Sequence, residues 1–120
     1  MSLRTVLFAG PAQRQLDDIL EESEENFGPA ARERYESLVL QALEDLLDNP
    51  ARPGVRQVVG RLHYHLRHSR IRVPKERGRV GAPRHLIVAR VVGEDLLVLA
   101  FGHDGMVDEL AARIEEGEDG

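Results

Sequence analysis

The chain has 120 residues and no cysteine, a length suited to one hydrophobic core and a composition that excludes disulfides and thiolate metal sites and favours a reducing, cytoplasmic location. Its formal net charge of −5 speaks against generic nucleic-acid binding, but the distribution is uneven. Residues 1–50 hold 4 Arg and 11 acids, residues 51–90 hold 11 Lys or Arg and only Glu76, and residues 91–120 hold Arg113 against 9 acids, so the positive charge is one compact feature of an acidic protein.

Arg4 to Phe8 is short, apolar and β-prone and stops at Ala9-Gly10-Pro11, which predicts a first strand followed by a helix start. Its apolar run, Val6-Leu7-Phe8, is too brief for a signal-peptide core or a membrane span. Beyond Pro11, apolar Ala12, Leu16, Ile19 and Leu20 recur at i, i+4, i+7 and i+8, predicting an amphipathic helix that ends near Asn26. Gly28-Pro29 restarts a helix whose stripe is Ala31, Tyr35, Leu38, Val39, Ala42, Leu43, Leu46 and Leu47, and Asn49-Pro50 ends it. Two such helices joined by so short a link pair antiparallel and leave an apolar face that a sheet must cover.

Three downstream stretches supply strands: Leu62 to Arg70, Arg84 to Val92 and Leu96 to Phe101. The last two form a hairpin across Gly93-Glu94-Asp95. Between them, Ile71 to Pro83 contains two prolines, two glycines and Lys75-Glu76-Arg77-Gly78-Arg79, which predicts an exposed, mobile loop. Met106 to Ile114 has helical periodicity, and the chain closes on an acidic, fraying tail within a C-terminal extension over 109–120. The expectation is a single α+β domain over 1–120: an N-terminal strand, an α-helical hairpin, a three-stranded antiparallel segment completing one sheet, and a short C-terminal helix.

The candidate chemistry lies in the basic segment. His63 and His65 share a strand face, but two imidazoles without a third ligand are too few for a metal site and read as a solvated polar face. No metal and no cofactor are expected. Arg67, His68 and Arg70 on one predicted strand, with Arg84, His85 and Arg90 on another, offer guanidinium groups for phosphate or carboxylate and imidazoles for proton transfer. A charged outer sheet face is the simpler account of such a run, although eleven basic residues against one acid exceed what solubility requires. His103-Asp104 follows the last strand and could transfer protons, but Asp104 equally suits a helix N-cap. His68, His85 and His103 are the catalytic candidates, none of them decisive.

Three strings carry a resemblance to a known family: His65-Leu66-Arg67-His68-Ser69-Arg70, Pro83-Arg84-His85-Leu86-Ile87-Val88-Ala89-Arg90-Val91, and His103-Asp104-Gly105-Met106-Val107-Asp108. With the opening strand and the two helices, they make the chain similar, over roughly residues 4–108, to the ParE branch of the RelE/ParE toxin superfamily of bacterial type II toxin-antitoxin systems, the plasmid stabilisation proteins. The resemblance implies a strand, helical hairpin and antiparallel sheet. It also implies a toxin that binds DNA gyrase and is neutralised by a cognate antitoxin, with Arg67, Arg70, Arg84, Arg90 and His103 as the contact residues. The RelE-like alternative is a metal-independent, ribosome-dependent mRNA endoribonuclease. Lys75 is the only lysine and no tyrosine follows Tyr64, so the lysine pair and C-terminal tyrosine of that branch have no counterparts and a binding protein is favoured over an enzyme. A third expectation is a degenerate toxin that only binds its antitoxin. Homodimerisation is left open, and no membrane partner is expected.

Overall fold

The computed structural model describes residues 2–104. Strand β1 (Thr5–Phe8) leads into helix α1 (Gly10–Phe27) and helix α2 (Pro29–Asp48). Each helix has proline in its first turn, where the missing N–H costs no hydrogen bond. Gly28 serves both helices: its N–H donates to the carbonyl of Glu24 at 2.8 Å, and its φ of +94° is a conformation open to glycine and costly for other residues. Strand β2 (Arg56–Val58) and strand β3 (Arg61–His65) follow, then two 3₁₀ segments (Leu66–Arg72 and Lys75–Arg77), strand β4 (His85–Val92) and strand β5 (Asp95–His103).

The five strands form one sheet in the order β1-β5-β4-β3-β2, with β1 parallel to β5 and every other pair antiparallel. Both helices cover one face, where Leu38, Val39, Ala42 and Leu46 meet Leu62, Tyr64, Ile87, Ala89, Leu96 and Val98. The β4–β5 turn is tighter than the expected three-residue loop. Val92 pairs with Asp95, and Gly93 alone between them has positive φ, +62°, as a type II′ turn requires.

A bulge in β5 fixes which side chains reach the helices. Val88 pairs with Ala100 while Ala89 pairs with Val98, leaving Leu99 as an extra residue. The insertion resets the alternation of β5, so Leu96 and Val98 before it and Phe101 after it all join the helix-facing core. Leu86, Val88 and Ala100 form a smaller cluster on the opposite face.

Two predicted segments differ. The strand expected over Leu62 to Arg70 ends at His65, and Leu66–Arg72 is 3₁₀ helix. Leu66, Ser69 and Arg72 recur every three residues, the 3₁₀ repeat that eclipses side chains. Leu66 and Ser69 are fully buried, and Ser69 and Arg72 both reach Asp45 of α2. Asp45 is only 2% exposed. It accepts from Ser69 Oγ at 2.6 Å, Arg72 Nε at 2.8 Å and Gln41 Nε2 at 2.9 Å, and lies 3.0 Å from an Arg52 guanidinium nitrogen. Desolvation pushes its pKa up, but the bonds from Ser69, Arg72 and Gln41, with the charge of Arg52, outweigh it and hold the carboxyl below its ordinary value.

The stretch over 71–83 is not simply exposed. Val73 is buried, Arg79 donates to the carbonyls of Val73 and Ile71, and Arg70 Nε donates to the carbonyl of Val80. Arginines thus close this backbone on itself, while Glu76 and Arg77 remain exposed. β2 was not expected from the sequence. The predicted helix at Met106 to Ile114 and the tail over 109–120 lie outside the described residues. No helix among the described residues is long and apolar enough to cross a membrane.

Candidate functional site

At one end of the sheet, His85 opens β4 and His103 closes β5, and the two are register partners. Because Ile87 and Phe101 face the helices, the two-residue period places His85 and His103 on that face as well. Without the bulge at Leu99, His103 would point to the opposite side. Tyr35 of α2 reaches over from above: its hydroxyl lies 2.5 Å from His85 Nδ1 and 3.4 Å from the backbone N–H of Arg84. Both aromatic contacts of His85 are edge to face, with Tyr35 at 5.5 Å and with His103 at 5.7 Å between centroids.

Protonation follows from the geometry. Burial, the largest influence, pushes the Tyr35 phenol up to about 12, the charge of Asp104 adds to the rise, and the backbone N–H groups of Arg84 and His85 oppose it. Burial likewise pushes His85 down to about 4, helped by His103 and opposed by Asp104. A neutral imidazole beside a protonated phenol assigns the hydrogen bond: Tyr35 accepts from Arg84 N–H and donates to His85 Nδ1, so His85 carries its proton on Nε2.

These groups border a cavity of about 520 Å³ between the helices, the start of β4 and the 71–83 segment. Arg34, Arg79 and Arg84 line it, with Ile19, Phe27, Ala31 and Val80 as apolar wall and Glu22 as an acid. Arg79 is occupied with backbone carbonyls, whereas Arg34 and Arg84 make no ion pair among the described residues.

The remaining sequence candidates are dispersed. His68 stacks at a tilt on Tyr64, 5.5 Å between centroids, and lies against Gly54, where an added Cβ would come within 2.7 Å of the imidazole. Burial, then the charge of Arg67, holds His68 below its ordinary pKa. Arg70 is engaged with Val80, Arg67 is exposed on the 3₁₀ segment, and Arg90 is exposed near the far end of β4. Arg84, just before β4, and Arg90 stand six residues apart along extended chain, roughly 20 Å, so one ligand of small size cannot touch both. His65 lies on the outer face with Asp104, their atoms 3.6 Å apart, beyond hydrogen-bond length. Burial and Arg67 hold His65 below its ordinary pKa in spite of Asp104. Among the described residues no group of three or more His, Asp or Glu is placed to hold a metal ion.

Sequence reasoning assigned Tyr35 to the apolar stripe of α2 and did not single out Arg34 or Arg79. Tyrosine in an otherwise aliphatic stripe, nearly two turns from the helix start, is the signal for a hydroxyl that must find a partner.

A second surface lies across the helical hairpin. A shallow groove of about 320 Å³ runs between α1 and α2, bordered by apolar Phe8, Leu16, Leu20, Val39, Leu40 and Leu43 and by Gln13, Asp17, Arg32 and Glu36. Leu40 is 56% exposed. Phe8 also ends β1, an edge strand of the sheet, so the groove and an unpaired strand edge are continuous.

A comparison with curated proteins finds no match. Among solved structures, the chain is similar to one described as a chromosomal ParDE toxin-antitoxin system from P. aeruginosa, with a TM-score of 0.54 and 14% identity, covering 84% of this chain and 96% of that one. At that identity the likeness shows the fold. A family model described as the ParE toxin of type II toxin-antitoxin systems, parDE, matches residues 6–108, nearly all of the described chain, and the chain belongs to this ParE toxin family.

Proposed function

We propose that this ParE-type toxin arrests growth by binding DNA gyrase and that a cognate antitoxin neutralises it through the hairpin groove and the β1 edge. The family match over residues 6–108 carries the toxin assignment. The docking surface is supported by the continuity of a groove with an apolar floor and charged flanking residues with an edge strand at Phe8: an amphipathic helix suits the first and an extended segment pairs with the second. For the gyrase contact, Arg67, Arg84 and Arg90 are exposed and available to an acidic or DNA-bound partner surface. Arg70 contributes less, since it is bonded to Val80.

Expression of the chain alone should slow growth and induce a DNA-damage response, and co-expression with the product of the adjoining reading frame should abolish both. Normal growth with no damage response would overturn the toxin reading.

One observation favours a second reading, cleavage of mRNA: Tyr35, His85 and His103 stand together beside Arg84. Against it, Tyr35 and His85 are held at about 12 and about 4, both far from the pH at which a general acid or base works best. Ribosome-dependent cleavage that disappears in His103→Ala would establish the nuclease in place of the gyrase inhibitor.

A further inference from the structure

Groove and edge-strand docking make no use of the cavity beside Tyr35. We propose that this cavity binds a mononucleotide, with Arg34 and Arg84 holding the phosphate and Phe27 stacking on the base.

Arg34 and Arg84 come from different parts of the chain, α2 and the residue just before β4, yet both line the cavity and neither has an ion-pair partner among the described residues. Two arginines lining one cavity without an ion-paired carboxylate make it an anion site, and their planar donor sets match phosphate oxygens. Arg34 is held there by the loop. Gly78 has φ +80°, and a Cβ on it would come within 2.7 Å of Arg34 Cδ, so the glycine backbone lies directly against the arginine stem. Arg79 closes the same loop through Val73 and Ile71. His85 adds a neutral ring whose Nε2–H is left over from its bond to Tyr35.

The α1 side of the cavity suits a nucleoside. Phe27 lines the cavity and is 78% exposed, an unfavourable setting for a phenyl ring until a planar ring covers it, as aromatic side chains do with single bases. Glu22, Ser23 and Asn26 line the same wall. A carboxylate there suits ribose hydroxyls, the pairing an acidic residue makes with ribose in dinucleotide-binding folds. About 520 Å³ lies within the usual range for small-ligand sites.

Charge limits the ligand to one nucleotide. The wall belongs to α1, which carries Asp17, Asp18, Glu21, Glu22, Glu24 and Glu25, and a strand of successive phosphates running along it would be repelled. This site stands or falls separately from the gyrase target, because it is read by ligand binding alone.

The test is calorimetric titration of the full-length protein with AMP, GMP, CMP and UMP, and in parallel with the matching nucleosides, inorganic phosphate and an eight-residue oligoribonucleotide. One or more nucleotides should bind 1:1, with nucleoside and phosphate each weaker by about tenfold or more. Arg34→Gln and Arg84→Gln should each weaken nucleotide binding by about tenfold, and Phe27→Ala, at an exposed position, should weaken it without lowering the melting temperature. The proposal is overturned by no nucleotide binding at millimolar concentration, by affinities unchanged in both arginine variants, or by an oligonucleotide that binds more tightly than any mononucleotide.

Discussion

Removing the carboxylate of Asp45 strands several partners at once, because Ser69, Arg72, Gln41 and Arg52 all converge on it from within the fold. Asp45→Ala should therefore cost about 3 kcal/mol and loosen the 3₁₀ segment, measured by chemical denaturation and by proteolysis within 66–72. His63 is the opposite case. It is 5% exposed on the outer face of β3, and neither ring nitrogen has a hydrogen-bond partner. Burial, then the charges of Arg56 and Arg61, holds it below its ordinary pKa, which leaves a neutral polar ring in an unsatisfied place. His63→Leu should stabilise by about 1 kcal/mol, read as a higher denaturation midpoint. Asp45 was legible in principle: it falls in the apolar stripe of α2, seven residues after Leu38 and three after Ala42, where an acid must be paired. Its partners were not legible, since they depend on a long-range return of the chain from α2 to residue 69.

At the scale of elements, long periodic segments declared themselves and short ones did not. Both helices and the β4–β5 hairpin follow from apolar period and turn residues. β2 is three residues long, Arg56-Gln57-Val58, at a sheet edge where only one side is paired, so it shows no alternation to read. Its turn is equally disguised. Val59 and Gly60 connect Val58 to Arg61 with φ of +40° and +76°, a type I′ geometry that prefers Asn-Gly. A β-branched residue there is strained by roughly 1–2 kcal/mol, and Val59 is 68% exposed, so it recovers little by packing. Val59→Asn should raise stability by about 1 kcal/mol; a lower midpoint would mean that the valine makes compensating contacts. The β5 bulge is the other hidden device: one extra residue, Leu99, places His103 on the helix side, and no pattern in Leu-Leu-Val-Leu-Ala-Phe announces it. In the helical hairpin, Leu40 offers a direct probe of antitoxin docking. Leu40→Glu should leave folding stability within about 0.5 kcal/mol and weaken the antitoxin complex by at least about tenfold.

Across the whole molecule, pH acts on a set of histidines rather than on one. His63, His65, His68 and His85 all have folded pKa values below 6.5, with His85 at about 4. Between these limits the unfolded chain binds more protons than the folded one, so stability is complete above about pH 6.5 and is lost as pH falls toward 4. Tyr35, raised to about 12, acts in the other direction: the unfolded phenol ionises first, and stability declines above about pH 10. Denaturation midpoints should thus form a plateau between about pH 7 and 9 and fall on both sides, and a midpoint unchanged from pH 7 to pH 5 would contradict the buried, neutral histidines.

Charge is divided on the same scale. The sequence shows one basic segment, but the fold distributes it. Arg84 borders a cavity together with Arg34 of α2, Arg70 and Arg79 hold a loop, Arg52 and Arg72 engage Asp45, and Arg67 and Arg90 remain on the exterior. What the working surface binds is most directly tested by DNA supercoiling with purified gyrase. The account predicts that the purified toxin inhibits supercoiling in proportion to its concentration and that its antitoxin restores it, with Arg84→Glu and Arg90→Glu weakening inhibition. Full supercoiling in the presence of a large molar excess of folded toxin would contradict it.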